Sequence, residues 1–247
     1  MLGLPDGVDA CLFDLDGVLT RTATVHAAAW KQMFDEFLSA RAPAPGEDHS
    51  PFDPVADYDR YVDGRPRYDG VSSFLTARGI ELPRGAPSDP PAAETVDGLG
   101  NRKNELVLAM IREHGVEAYE GSVRYVHAAE QAGMSRAVVS SSSNCRDVLA
   151  AAGIEGLFEQ VVDGLVAERQ HLAGKPAPDT FLAGARALGK APAQAAVFED
   201  ALAGVQAGHA GRFGFVVGVD RVGQAQALAE HGADTVVSDL AELLQRA

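Results

Sequence analysis

Asp14 and Asp16 are separated by a single residue, at the end of the apolar run Cys11-Leu12-Phe13 and ahead of Gly17-Val18-Leu19. In an extended chain two such side chains point the same way, because side chains alternate with period two. Neighbouring carboxylates repel, so the pair needs a divalent cation, a shared proton or contact with water. Mg²⁺ meets that need. A metal-held Asp can also attack phosphorus to give an aspartyl phosphate, while its neighbour moves protons on and off the acceptor oxygen. The plainer reading of the same stretch is an acidic turn that closes a strand. Three further groups stand at similar places. Ser140-Ser141-Ser142-Ser143-Asn144 follows the apolar Ala137-Val138-Val139 and offers hydroxyls and N–H groups suited to phosphate oxygens, although Ser-rich turns mostly cap helices. Lys175 lies in the stiff turn Gly174-Lys175-Pro176-Ala177-Pro178, where a solvated lysine is the bland alternative. Glu199 and Asp200 end the apolar Val197-Phe198 ahead of a helical stretch, where acids commonly just complement a helix dipole.

The elements that must position these residues follow from periodicity. Cys11 to Phe13 reads as a buried strand that delivers its acids from its carboxyl end, where ligands bind in open α/β sheets. Ala29, Trp30, Met33, Phe34 and Phe37 then recur at helical spacing, with Thr22 or Thr24 as N-cap. Arg41 to Asp57 and Leu82 to Ala93 are rich in Pro and read as surface loops; Tyr58 to Ile80 is mixed; Asn101 to Glu113 is helical. From Tyr119 the rhythm is α/β. Helices are expected over Val123 to Gln131, through Val148 and Leu149, and over Pro178 to Leu188, Ala201 to His209, Val222 to Glu230 and Leu240 to Gln245. Strands are expected at 137–139, 161–162, 195–198, 213–219 and 235–237. The expected fold is an α/β doubly wound, Rossmann-like parallel sheet with an inserted helical cap over its carboxyl edge. Residues 1–21 and 118–247 would form the core, and 22–117 the cap.

Composition bounds the function. A chain of 247 residues, 46% hydrophobic and 23% charged, is long enough for a sizeable core. Lys and Arg at 21 against Asp and Glu at 35 give −14, which argues against nucleic acid as a partner. Cys11 and Cys145, far apart in sequence, make neither a disulfide framework nor a Cys-x-x-Cys metal pattern and are expected to be reduced. No basic and apolar leader and no long apolar run is present, so a cytoplasmic protein without membrane association is expected, and a monomer.

Taken in order, Asp14-x-Asp16-Gly17, Ser140 after an apolar strand, Lys175-Pro176 and Glu199-Asp200 resemble the ordered motifs of the haloacid dehalogenase superfamily of phosphotransferases, over essentially the whole chain. The resemblance implies that Asp14 is the nucleophile and Asp16 the general acid/base. It implies that Ser140, Ser141 and Lys175 hold the transferring phosphoryl group, and that Asp14, Asp16, Glu199 and Asp200 form a Mg²⁺ shell. Phosphoryl transfer asks mainly for alignment and for neutralisation of oxygen charge, which these groups can supply. Asp16 sets the chain apart from the dehalogenating branch, which has no leaving alcohol to protonate.

His26, Trp30, Gly64-Arg65-Pro66-Arg67, Arg102-Lys103-Asn104 and the serine loop are similar to the β-phosphoglucomutase-like subfamily. This resemblance implies a sugar phosphate as substrate and interconversion of β-glucose 1-phosphate and glucose 6-phosphate through a bisphosphate. A sugar-phosphate phosphatase on the same scaffold is the alternative, and a non-catalytic sugar-phosphate sensor a remoter one. A mutase needs a second phosphate site, which the resemblance places on Arg67 with Ser142, Ser143 and Asn144. His26 would position the acid/base, Gly64 and Arg65 would meet the sugar through their backbone, Lys103 would approach its hydroxyls, and Trp30 is otherwise helix core. Two positions depart from the subfamily: Arg21 stands where an acid is usual, and Ser143 where a Lys supports the distal phosphate. The Pro-rich loops are longer than the subfamily's compact cap requires.

Overall fold

The structure, a computed structural model, describes residues Leu2 to Gln245. The chain opens with β1 (Ala10–Phe13) and passes into α1 (Ala23–Ala40), a single π-helical turn (Tyr58–Val62), α2 (Arg67–Ala77) and α3 (Val96–His114). It continues through α4 (Glu120–Gln131), β2 (Ser135–Val139), α5 (Cys145–Ala151), β3 (Gln160–Val162), α6 (Gly164–Arg169) and α7 (Asp179–Ala187). The final stretch holds β4 (Ala195–Glu199), α8 (Leu202–Ala210), β5 (Phe215–Val219), α9 (Ala225–Glu230), β6 (Thr235–Val237) and a 3₁₀ turn at Leu240–Leu244. Two compact units result: one runs up to Thr22 and resumes at Val116, and the other is Ala23–Gly115.

In the first unit all strands pair in parallel, in the order β3-β2-β1-β4-β5-β6. The sheet is doubly wound: β1 is central, and after β3 the chain crosses to β4 on its other side. The strands are mostly apolar because both faces are covered. Leu12 packs with Phe181 of α7 and Val205 of α8. Phe13 turns to the opposite face, stacks on Phe198 at 4.5 Å and meets Tyr125 of α4 edge-on at 6.3 Å. Among the described residues no helix is long and apolar enough to cross a membrane.

The second unit has its own core. The apolar stripe of α1 packs with Phe52, with Val71 and Phe74 of α2 and with Leu99 of α3; Phe34 and Phe74 have ring centroids 4.0 Å apart. Arg78, almost wholly buried, ties down the 41–57 segment by pairing with Asp48 and with Asp57, the latter at 2.7 Å.

Several elements differ from the sequence-based expectation. α3 begins at Val96, capped by the Thr95 hydroxyl accepting from Gly98 N–H at 2.9 Å, and Gly98 and Gly100 obscure that start. α6 was not expected: its six residues are too few to show a period. The segment after β6 forms a 3₁₀ turn capped by Asp239 rather than an α-helix. α9 starts late because the Asp220 carboxylate accepts N–H groups from Val222 to Ala225 and holds them in a loop.

Candidate active site

Register makes the carboxyl ends of three adjacent strands level. Phe13 lies beside Val138 on one side and Phe198 on the other, so Asp14, Val139 and Glu199 come one step further on. This is where the winding changes direction, the usual place for a ligand in an open α/β sheet. Asp14 N–H still donates to the Phe198 carbonyl at 2.9 Å. Lys175, from the turn before α7, puts its ammonium into the junction. It donates to Asp14 Oδ1 and Glu199 Oε1, each at 2.5 Å, and to the Val139 carbonyl at 3.3 Å. Glu199 is fully buried and accepts the Ala201 N–H at 3.1 Å; a Cβ on Gly204 would overlap its carboxylate.

Burial pushes the Asp14 and Glu199 carboxyls above their ordinary values, against the pull of Lys175. Burial also disfavours the lysine charge, but Asp14 and Glu199 outweigh it and hold the ammonium above its usual range. Lys175 is therefore a fixed positive charge. Cys145, within reach of the fields of Asp16 and Asp14, is pushed well above the ordinary thiol value, first by burial and then by those acids, so it stays protonated.

Past Asp14 the chain does not remain extended. The N–H groups of Leu19 and Thr20 return to the Leu15 carbonyl, at 2.9 and 3.0 Å, and Gly17 N–H donates to the Thr20 carbonyl at 2.8 Å. Gly17 sits at φ 85, in the left-handed region, and a Cβ there would overlap the Asp200 carboxylate. The two acids that follow β1 therefore do different things. Asp14 receives the Asp16 backbone N–H, whereas Asp16 Oδ1 accepts the Thr22 hydroxyl.

Oxygens of Asp14, Glu199 and Asp200 lie within 4.8 Å of one another. The carboxylate of Asp16, expected in the metal shell, is not in this group, because the tight turn directs it to Thr22. Three carboxylates and one ammonium leave a formal charge of −2 and hard oxygen donors, which fits Mg²⁺. Two residues without local sequence signal hold the turn and Asp200 from the loop after β5, another strand's carboxyl end. Arg221 Nε donates to the Gly17 carbonyl at 2.8 Å, and Gln224 Nε2 donates to the Asp200 carbonyl at 3.0 Å.

The serine loop follows β2 directly. Ser140 is buried; its N–H donates to the Val162 carbonyl at 2.9 Å, and its hydroxyl accepts the Ser142 N–H at 3.1 Å. Ser142 Oγ accepts the Asn144 N–H at 3.2 Å. Ser141, Ser142 and Ser143 are half-buried, and Asn144 precedes α5.

In the helical unit, Trp30 is 3% exposed, stacks on Phe34 at 5.3 Å and has the Lys103 ammonium 4.8 Å over its ring. It packs in the core of that unit. Lys103 Nζ lies 2.8 Å from His26 Nδ1; an ammonium can only donate, so Nδ1 accepts. Burial, and then the Lys103 charge, push the His26 imidazole well below its ordinary value, which keeps it neutral. Gly64, at φ 67, and Arg65 form the turn before Pro66, and Arg67 opens α2.

A doubly wound α/β core with a buried acid–lysine–acid junction at its switch point, interrupted by a helical unit, defines the class of protein. Over residues 8–212 the chain matches the family of haloacid dehalogenase-like hydrolases. It is 58% identical over 247 residues to the β-phosphoglucomutase of Mycobacterium tuberculosis, covering 99% of this chain and 94% of that protein. It is 31% identical over 242 residues, 94% of each chain, to the validoxylamine A 7'-phosphate phosphatase of Streptomyces hygroscopicus. A solved β-phosphoglucomutase from Clostridium difficile shares the fold with a TM-score of 0.74 at 24% identity, covering 97% of this chain and 96% of that one. The chain belongs to the haloacid dehalogenase superfamily, in its β-phosphoglucomutase-like subfamily, and is a phosphotransfer enzyme.

Proposed function

We propose that this enzyme interconverts β-glucose 1-phosphate and glucose 6-phosphate through glucose 1,6-bisphosphate. The observation that carries this reading is the 58% identity, across 99% of the chain, to the M. tuberculosis protein of that activity. Asp14 is the nucleophile: its carboxylate oxygen bonds to phosphorus as the bond from phosphorus to the sugar oxygen breaks, and Asp16 gives that oxygen a proton. In the other half of the cycle Asp16 takes the proton of the free hydroxyl of a glucose monophosphate as that hydroxyl's oxygen attacks phosphorus and the bond to Asp14 breaks, which gives the bisphosphate, so protons balance over the cycle. Lys175 and Ser140 orient the transferring group and neutralise its oxygens. Mg²⁺, held by Asp14, Glu199 and Asp200, would supply further neutralisation there. Arg67 takes the non-reacting phosphate with its forked donors.

The 31% identity to a phosphatase, together with Ser143 in place of a Lys, favours hydrolysis as the second reading. Incubation with β-glucose 1-phosphate, Mg²⁺ and a trace of glucose 1,6-bisphosphate separates the two. Glucose 6-phosphate should accumulate with little free phosphate; stoichiometric release of phosphate would instead assign a phosphatase.

A further inference from the structure

The Pro-rich 82–95 segment is ordered by its own contacts. Val96 N–H donates to the Pro83 carbonyl and Asp97 N–H to the Arg84 carbonyl, both at 3.0 Å, and the Thr95 hydroxyl donates to Asp89 Oδ2 at 2.6 Å. Several side chains of α3 are tied into it, Asn101 among them. Asn101 Nδ2 donates to the Pro87 carbonyl at 3.0 Å and to the Asp89 carbonyl at 2.9 Å. Those bonds use both amide hydrogens and so decide which way the amide faces. Oδ1 is left to accept the Tyr68 hydroxyl at 2.9 Å. A hydroxyl has one hydrogen; with it committed to Asn101, the Tyr68 oxygen can only accept, and it accepts from Arg67 Nη2 at 3.1 Å. The relay therefore runs one way, from the arginine to the loop.

Packing holds the relay in place. A Cβ on Gly100 would come within 2.6 Å of the Tyr68 ring, so glycine is needed for the ring to lie against α3. Arg84, paired with Asp97 at 3.1 Å, lies 5.5 Å from the centre of the same ring, and Arg67 lies 4.9 Å from it. Apart from its bond to Tyr68, the Arg67 guanidinium has no side-chain hydrogen bond and no carboxylate partner among the described residues, and its Nε is buried without a partner. In a chain of net charge −14 an oriented guanidinium with unused donors is prepared for an incoming anion.

We infer that the 82–95 segment is a specificity device: through Asn101 and Tyr68 it fixes Arg67 in the orientation that receives the non-reacting phosphate of a bisphosphorylated sugar. This rests on the proposed role of Arg67. Tyr68 and Asn101 are positioning residues, and only Arg67 touches the ligand.

The test compares Tyr68→Phe, Asn101→Ala, Arg67→Ala and the double variant Arg67→Ala/Tyr68→Phe. KM for glucose 1,6-bisphosphate is measured in the mutase reaction, alongside hydrolysis of acetyl phosphate, which carries a single phosphate. Tyr68→Phe keeps the ring and its packing, and should raise that KM by about 5- to 20-fold, the scale of one lost hydrogen bond to a charged group. Asn101→Ala should act in the same direction, and acetyl phosphate hydrolysis should stay within about twofold in both. The double variant should be no worse than Arg67→Ala alone, since the relay acts only through the arginine. If Arg67→Ala raises KM while Tyr68→Phe leaves it unchanged, or if the two effects add, the relay is refuted and the role of Arg67 stands. If Arg67→Ala itself leaves KM unchanged, the proposed distal phosphate site falls, and the relay with it.

Discussion

Lys175 shares one ammonium among three strand ends, and this sets the behaviour of Asp14. With Glu199 also on the lysine, Asp14 is the carboxylate in excess, raised by burial and restrained by the cation beside it. Asp14→Asn keeps the side chain's shape and removes that excess charge along with the oxygen proposed to attack phosphorus. Turnover of β-glucose 1-phosphate should fall by roughly four to six orders of magnitude, the scale seen when a covalent nucleophile is lost, while the melting temperature holds or rises. A variant that keeps substantial turnover would rule out an aspartyl phosphate on this residue. His26 likewise depends on its surroundings: burial first, and then the charge of the buried lysine on α3, keeps the imidazole neutral.

The turn from Asp14 to Thr20 is the element on which the acids depend. It is closed by its own backbone hydrogen bonds, held from outside by Arg221, and made possible by glycine at a position where the backbone is left-handed and Asp200 occupies the space of a side chain. Gly17→Ala should cost about 1–2 kcal/mol for the left-handed backbone alone. It should also displace Asp200, so the Mg²⁺ concentration for half-maximal activity should rise. Denaturant unfolding and a Mg²⁺ titration check the two parts separately, and an unchanged titration would remove Asp200 from the metal site. β1 and α1 were legible because a buried strand and an amphipathic helix carry periods of their own. α6 was not, being shorter than two turns, and α2 was masked by the Gly64-Arg65-Pro66-Arg67 stretch that precedes it.

At the scale of the whole molecule, the buried acids couple stability to pH. Asp14 and Glu199 bind protons more tightly folded than unfolded, so without metal their contribution is full below the ordinary carboxylate value of about 4 and is lost as pH rises through their raised folded values. Mg²⁺ held there, as proposed, would take the place of those protons, with an affinity that grows as they leave. The rise in melting temperature on adding Mg²⁺ to chelator-treated protein should therefore be larger near pH 8 than near pH 5; equal shifts at both would show that the metal does not compete for these acids. By itself the sequence determined the parallel α/β alternation, the interruption by helices, and the order of acid pair, serine loop, lysine and second acid pair at apolar strand ends. These are local patterns, set by side-chain period and by breakers within a few residues. Tertiary structure alone decided that the converging carboxylates are Asp14, Glu199 and Asp200 without that of Asp16, that Trp30 packs in a core, and that Asn101 and Tyr68 meet Arg67. The reason is that a side chain's direction beyond a strand end is set by partners far along the chain. Thr22, Arg221 and Gln224 hold one turn and its neighbour, and the Pro87 and Asp89 carbonyls orient one amide.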